Sequence, residues 1–179
     1  KPPQRPGVMS MLAGVIKFNS TLKQVTLAST GLDDASGAFF ATALLENKTL
    51  LGLDVSSNPI GTEGIALLAN AARDHPALTQ LKTDGAALPL SQLRGAKGAD
   101  GNIDFSDSGF GALSGHAIGT IVKNNRTLLT LNLKSNRLGA DGIAAVVRGL
   151  GDAPLKALDV TRNGLGGTGG TGVEIKSLS

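Results

Sequence analysis

The stretch that decides the fold runs from residue 50 to residue 72: Leu50-Leu51-Gly52-Leu53-Asp54-Val55-Ser56-Ser57-Asn58-Pro59-Ile60-Gly61-Thr62-Glu63-Gly64-Ile65-Ala66-Leu67-Leu68-Ala69-Asn70-Ala71-Ala72. It holds two periods. Leu53 and Val55 alternate with polar neighbours, the period of a short strand that buries one face. Asn58-Pro59 marks a turn, and Ile60 closes it. From Glu63 the apolar residues Ile65, Leu68 and Ala72 recur at helical spacing on one face. One such strand–turn–helix unit cannot bury its own apolar side, whereas stacked copies can.

The copies are present. The template L-x-x-L-x-L-x-x-N-x-L, which starts here at Leu50, starts again at Leu22, Leu78, Asp100, Leu128 and Leu155, with spacings of 28, 28, 22, 28 and 27 residues. The fifth copy reads Leu128, Leu131, Leu133, Asn136, Leu138, and the sixth Leu155, Leu158, Val160, Asn163, Leu165. Only Asp100 and Thr83 interrupt the apolar slots. Helical periods follow the strands at 38–45, 116–122 and 141–148, and Met9 to Ile16 aligns with them. Six parallel strands side by side, with helices behind, are therefore predicted.

Two units depart from the pattern. In the third, Leu88-Pro89-Leu90-Ser91-Gln92-Leu93-Arg94-Gly95 stands where the helix belongs. Proline and glycine there predict one turn at most and a local change in curvature. In the sixth, the glycines between Leu165 and Gly172 leave no helix interior. The expected division is 1–20 as an N-terminal segment with a capping or half-unit helix, 21–168 as repeats, and 169–179 as a Gly-rich cap or tail. The chain opens within a unit and without Met, which reads as a fragment or a cap.

Three local patterns carry a resemblance. Asn19-Ser20-Thr21-Leu22, Asn47-Lys48-Thr49-Leu50 and Asn125-Arg126-Thr127-Leu128 share N-x-T-L before the strand. Ile60-Gly61-Thr62-Glu63-Gly64 and Leu138-Gly139-Ala140-Asp141-Gly142 share an apolar-G-x-x-G lead-in to the helix. With a unit of about 28 residues, the chain resembles the leucine-rich repeat family in its ribonuclease-inhibitor-like subtype, over residues 8 to 168. The resemblance implies an α/β solenoid, a curved parallel sheet inside and helices outside, cytoplasmic, and used for binding protein partners. It also implies that Asn58, Asn136 and Asn163 satisfy backbone groups of the turns.

Composition removes other classes. Among 179 residues there is no Cys, so disulfides and Cys-based zinc sites are excluded. The net charge of +3 comes without a basic run, and aromatics are 3% of the chain, so a nucleic-acid partner is not expected. No apolar run is long enough to span a bilayer. The two histidines, His75 and His116, sit at no metal-ligand spacing, and the glycines of 164–172 lack the helix and Lys-Ser/Thr of a phosphate loop. No catalytic, metal-binding or cofactor-binding residue is assigned, and no cofactor is expected.

What remains is the solvent side of the strands. Its central row is Thr26, Asp54, Lys82, Asp104, Asn132 and Asp159, flanked by Asp84, Asp107 and Lys134 among others. The candidate protein-binding residues are Asp54, Lys82, Asp84, Asp104, Asp107, Asn132 and Lys134. Stacked strands would bring Asp84 towards Asp104 or Asp107, with Lys82 and Lys134 as neutralising partners. The expected function is a non-catalytic interaction module. The alternatives are a structural subunit of a larger assembly and a regulator of a small GTPase.

Overall fold

The computed structural model describes residues 6–96, 100–164 and 174–176. Among these residues the helices are α1 (Pro6–Phe18), α2 (Asp34–Glu46), α3 (Thr62–Asp74), α4 (Leu90–Leu93), α5 (Ala112–Ile121) and α6 (Gly139–Leu150). The strands are β1 (Gln24–Thr26), β2 (Gly52–Asp54), β3 (Gln80–Lys82), β4 (Leu88–Pro89), β5 (Asn102–Asp104), β6 (Thr130–Asn132), β7 (Ala157–Asp159) and β8 (Glu174–Lys176). Strand and helix alternate, so each unit places its strand on one side and its helix on the other. Packed helices need roughly 8–10 Å between axes, and strands only about 4.8 Å, so the strand side is the inside of the curve.

The central residue of each parallel strand aligns with its neighbours on the core side. Val25 pairs with Leu53 and Leu53 with Leu81; Ile103 pairs with Leu131 and Leu131 with Leu158. The helices meet them from the other side. On α3, Ile65, Leu68, Ala69 and Ala72 are fully buried, which is the face their spacing marks out. The buried residues form one continuous core from Met9 to Val160. Helix approach depends on glycine: a Cβ on Gly115 of α5 would lie 2.6 Å from the Gly142 Cα of α6.

The sheet is not continuous, contrary to the six-strand ladder expected from the repeat. It is two four-stranded sheets, β1-β2-β3-β4 and β5-β6-β7-β8. Within each, three strands are parallel and the fourth runs antiparallel along the edge. The short third unit is the cause. Leu88 folds back onto Leu81 and Pro89 onto Gln80, so β4 takes the edge that β5 would need. Proline is tolerated on such an edge because no ladder N–H is required of it. The helix shrinks to the single turn of α4, as predicted. Leu88, Leu90 and Leu93, all fully buried, fill the missing helix's space, and α5 packs directly on α3. In the sixth unit, the expected Gly-rich segment falls mainly outside the described residues; within 169–179, β8 covers the free edge of β7.

The two sheets are joined by other means. The Ala86 N–H donates to the Ser108 carbonyl at 3.0 Å. Thr83, the polar residue in an apolar slot, is buried, and its hydroxyl meets that of Ser114 on α5 at 2.8 Å.

Candidate functional site: the strand face

The turn after each strand is built by asparagine. Asn58 Oδ1 accepts from the N–H groups of Thr30, Gly31 and Leu32, and its Nδ2 donates to the carbonyls of Leu27, Val55 and Ser56. Asn136 and Asn163 do the same between the later units. One side chain thus satisfies backbone groups of two neighbouring turns, which a buried loop requires.

Beside that ladder, the central row serves a second local purpose. The Ser56 N–H donates to Asp54 Oδ1 at 2.9 Å, Ser106 N–H to Asp104 Oδ1 at 2.9 Å, Lys134 N–H to Asn132 Oδ1 at 3.0 Å, and Thr161 N–H to Asp159 Oδ1 at 2.9 Å. These are Asx turns. The spacing Asp-x-Ser/Thr, visible in Asp54-Val55-Ser56, Asp104-Phe105-Ser106 and Asp159-Val160-Thr161, was the signal for them.

Charges on the face are partly neutralised. Lys82 Nζ lies 3.3 Å from Asp54 Oδ2 across β2 and β3. Burial pulls the Asp54 pKa upward, but the Ser56 hydroxyl and N–H together with Lys82 outweigh it and hold it below the ordinary value. Asp104 is exposed, and the Ser106 N–H lowers its pKa likewise.

Asp107 is exposed at the turn position where Ser29, Ser57, Ser135 and Arg162 also have positive φ. Lys134 and Asn132 are half-buried on β6 and the turn after it.

Asp84 is placed differently from its neighbours. The N-cap of helix α5 is Gly111, which has no side chain to cap it. Asp84 supplies the cap from the preceding unit: Oδ1 accepts from Gly111 N–H at 3.1 Å and Oδ2 from Leu113 N–H at 3.0 Å, with the Ser114 N–H and hydroxyl also bonded. Asp34 does this for α3, taking the N–H groups of Gly61 and Gly64 at 2.8 and 2.7 Å. The Asp84 carboxylate is therefore spent within the protein, and it does not pair with Asp104 or Asp107 across a continuous sheet.

The face so assembled is polar, of mixed sign and without aromatic anchors. At its N-terminal end the Gln24 side chain lies over the bare α-carbon of Gly52, where a Cβ would sit 1.9 Å from Oε1. Such a surface can orient a polar partner by hydrogen bonds and charge. Among the described residues, no group of three or more His, Cys, Asp or Glu is arranged to hold a metal ion, and no helix is long and apolar enough to cross a membrane.

The family model and the sequence relatives agree with this architecture. A family model described as Leucine Rich repeat matches residues 46–69, 124–147 and 152–173. Tonsoku-like protein of Mus musculus is 29% identical over 166 residues, covering 86% of this chain and 12% of that protein. Ribonuclease inhibitor of Mus musculus is 26% identical over 144 residues, covering 80% of this chain and 27% of that protein. The chain thus spans a small part of the relatives' length. Among solved structures, leiomodin-1 actin-binding site 2 matches with a TM-score of 0.49 and 21% identity, covering 83% of this chain and 76% of that one.

Proposed function

Since the chain belongs to the leucine-rich repeat family, in its ribonuclease-inhibitor-like form, we propose that it is a non-catalytic module that binds a protein through its inner strand face. The observation that carries this is the register. Thr26, Asp54 and Lys82 form one row, and Asp104, Asn132 and Asp159 another, so six units contribute to one side of the molecule. Among the relatives, ribonuclease inhibitor is by its name a protein that acts on another protein. The contacts come from Asp54, Lys82, Asp104, Asp107, Asn132 and Lys134. Mixed charge of this kind favours orientation and specificity over raw affinity. A cytoplasmic location belongs to the same proposal.

A second reading, a structural subunit of a larger assembly, is favoured by one observation. Val8, Met11, Val15 and Phe18 form a stripe along α1 and are 54%, 75%, 56% and 80% exposed. A stripe of that size is commonly covered by a neighbour.

Partner capture from the native cell, read by mass spectrometry, separates the two. Asp104→Lys with Asp107→Lys should lose the partners while circular dichroism stays unchanged. Asp84 is left intact because it caps α5. Arg73→Glu with Arg148→Glu, on the helix side, should keep them. Retention by the first variant and loss by the second would overturn the proposal. Loss only on Val15→Asp with Phe18→Asp would favour the subunit reading.

A further inference from the structure

The first, second and fifth units begin their strands with a buried or half-buried asparagine, Asn19, Asn47 or Asn125, that holds the chain from below. Asn47 Oδ1 accepts from Thr49 and Leu50 N–H at 2.9 and 2.8 Å, and Asn125 Oδ1 from Thr127 and Leu128 N–H at 2.8 and 3.0 Å. Their Nδ2 groups donate to carbonyls of the preceding unit. In the third unit the same slot, three residues before the leading Leu78, holds His75.

His75 is 3% exposed, and its Nδ1 accepts from Ala77 N–H at 3.1 Å and Leu78 N–H at 2.8 Å. It imitates the acceptor half of asparagine. Those two bonds assign a neutral ring with its proton on Nε2. Nε2 is buried without a hydrogen-bond partner and lies towards the Asn47 carbonyl.

The charged groups around the ring come from three elements. Lys48 follows α2, and Arg94 follows α4 with its guanidinium on the Ala72 carbonyl. Asp74 ends α3, but its carboxylate is paired with Arg73 at 3.0 Å. Lys48 and Arg94 both oppose a charge on the ring, at the unit where the sheet is interrupted.

We propose that His75 makes the third unit a proton-sensitive joint: neutral, it fastens the lead-in to β3, and protonated it releases the Ala77 and Leu78 N–H groups and loosens the link between the two sheets. A proton on Nδ1 removes the lone pair that both bonds use. It also adds a buried positive charge that Lys48 and Arg94 repel. Burial first, then these two cations, lower the pKa of His75 below 6.5 in the closed form. The opened ring takes a proton more readily, so opening is favoured as pH falls below about 6.5 and is independent of pH above it. The joint is a property of the fold and holds whether or not the strand face is the binding surface.

The test is amide exchange between pH 7.5 and 5.5, corrected for the intrinsic rate. Residues 76–82 and 88–96 should exchange faster by up to about tenfold per pH unit below pH 6.5, the limit for one linked proton. Helix α2 should not follow them. In His75→Asn, where the side chain regains both halves of the asparagine pattern, the dependence should vanish; in His116→Gln it should persist. A flat profile in the wild type, or an unchanged profile in His75→Asn, overturns the joint. Should His75→Asn not fold, ring proton NMR decides. The chain has two histidines, and His116→Gln identifies the remaining signal as His75. Titration at or above pH 6.5 overturns the proposal, and titration below it supports it.

Discussion

At the scale of single residues, the stack is held by side chains that serve the unit next door. Asn58 bonds two turns at once, and Asp34 and Asp84 each cap the helix of the following unit. The cap is borrowed because Gly61 and Gly111, at the two N-caps, have no side chain to offer. Replacing Asp84 by Ala should cost about 0.5–2 kcal/mol, the range for a lost N-cap. Urea unfolding followed by circular dichroism measures it. A midpoint unchanged from wild type would mean that the first turn of α5 satisfies its N–H groups by other means.

At the scale of elements, no strand or helix is stable alone. Most strands are three residues long, too short to persist without neighbours on their edges and helices on their core-facing side. The stability lies in layers such as Leu131 and Leu133 of the fifth unit beneath Ile143 and Val146 of α6, all at most 9% exposed. Leu131→Ala should cost about 2–5 kcal/mol, as for other fully buried leucines. Because the core is continuous, the loss should spread to the units on either side. Thermal melting reads it directly, and a melt within a degree or two of wild type would contradict the position of Leu131.

At the scale of the whole molecule, the chain is two strand triples meeting at an incomplete unit. The joint has fewer backbone bonds than the flanks: α4 is a single turn, and β3 and β5 share no ladder. At neutral pH, residues 88–96 should therefore exchange amide hydrogens faster than α3 and α5, because local opening there breaks fewer bonds. Equal protection across the three segments would show that side-chain packing of Leu88, Leu90 and Leu93 is enough to make the joint as rigid as a regular unit.

The repeat by itself determined much of this. Leucines at period two and then at helical spacing, copied at nearly constant intervals, leave stacking as the only way to bury both faces, so the strand–helix order, the core and the asparagine turns were legible in the sequence. The single turn at Leu90–Leu93 was legible too, because proline and glycine act locally. What the tertiary structure decided were the long-range pairings. Which strand takes the free edge of β3 depends on whether β4 or β5 reaches it first in space, and periodicity does not encode that competition. The fate of Asp84 follows from the same event. In an unbroken ladder it would face solvent beside Asp104, but the closing of the sheet at β4 sets it against α5, where uncapped N–H groups of the helix claim its carboxylate. His75 is the converse case: its slot is visible by alignment with Asn47 and Asn125, but only burial, with Lys48 and Arg94 opposing a charge, turns a substitution of asparagine by histidine into a group whose protonation the fold resists.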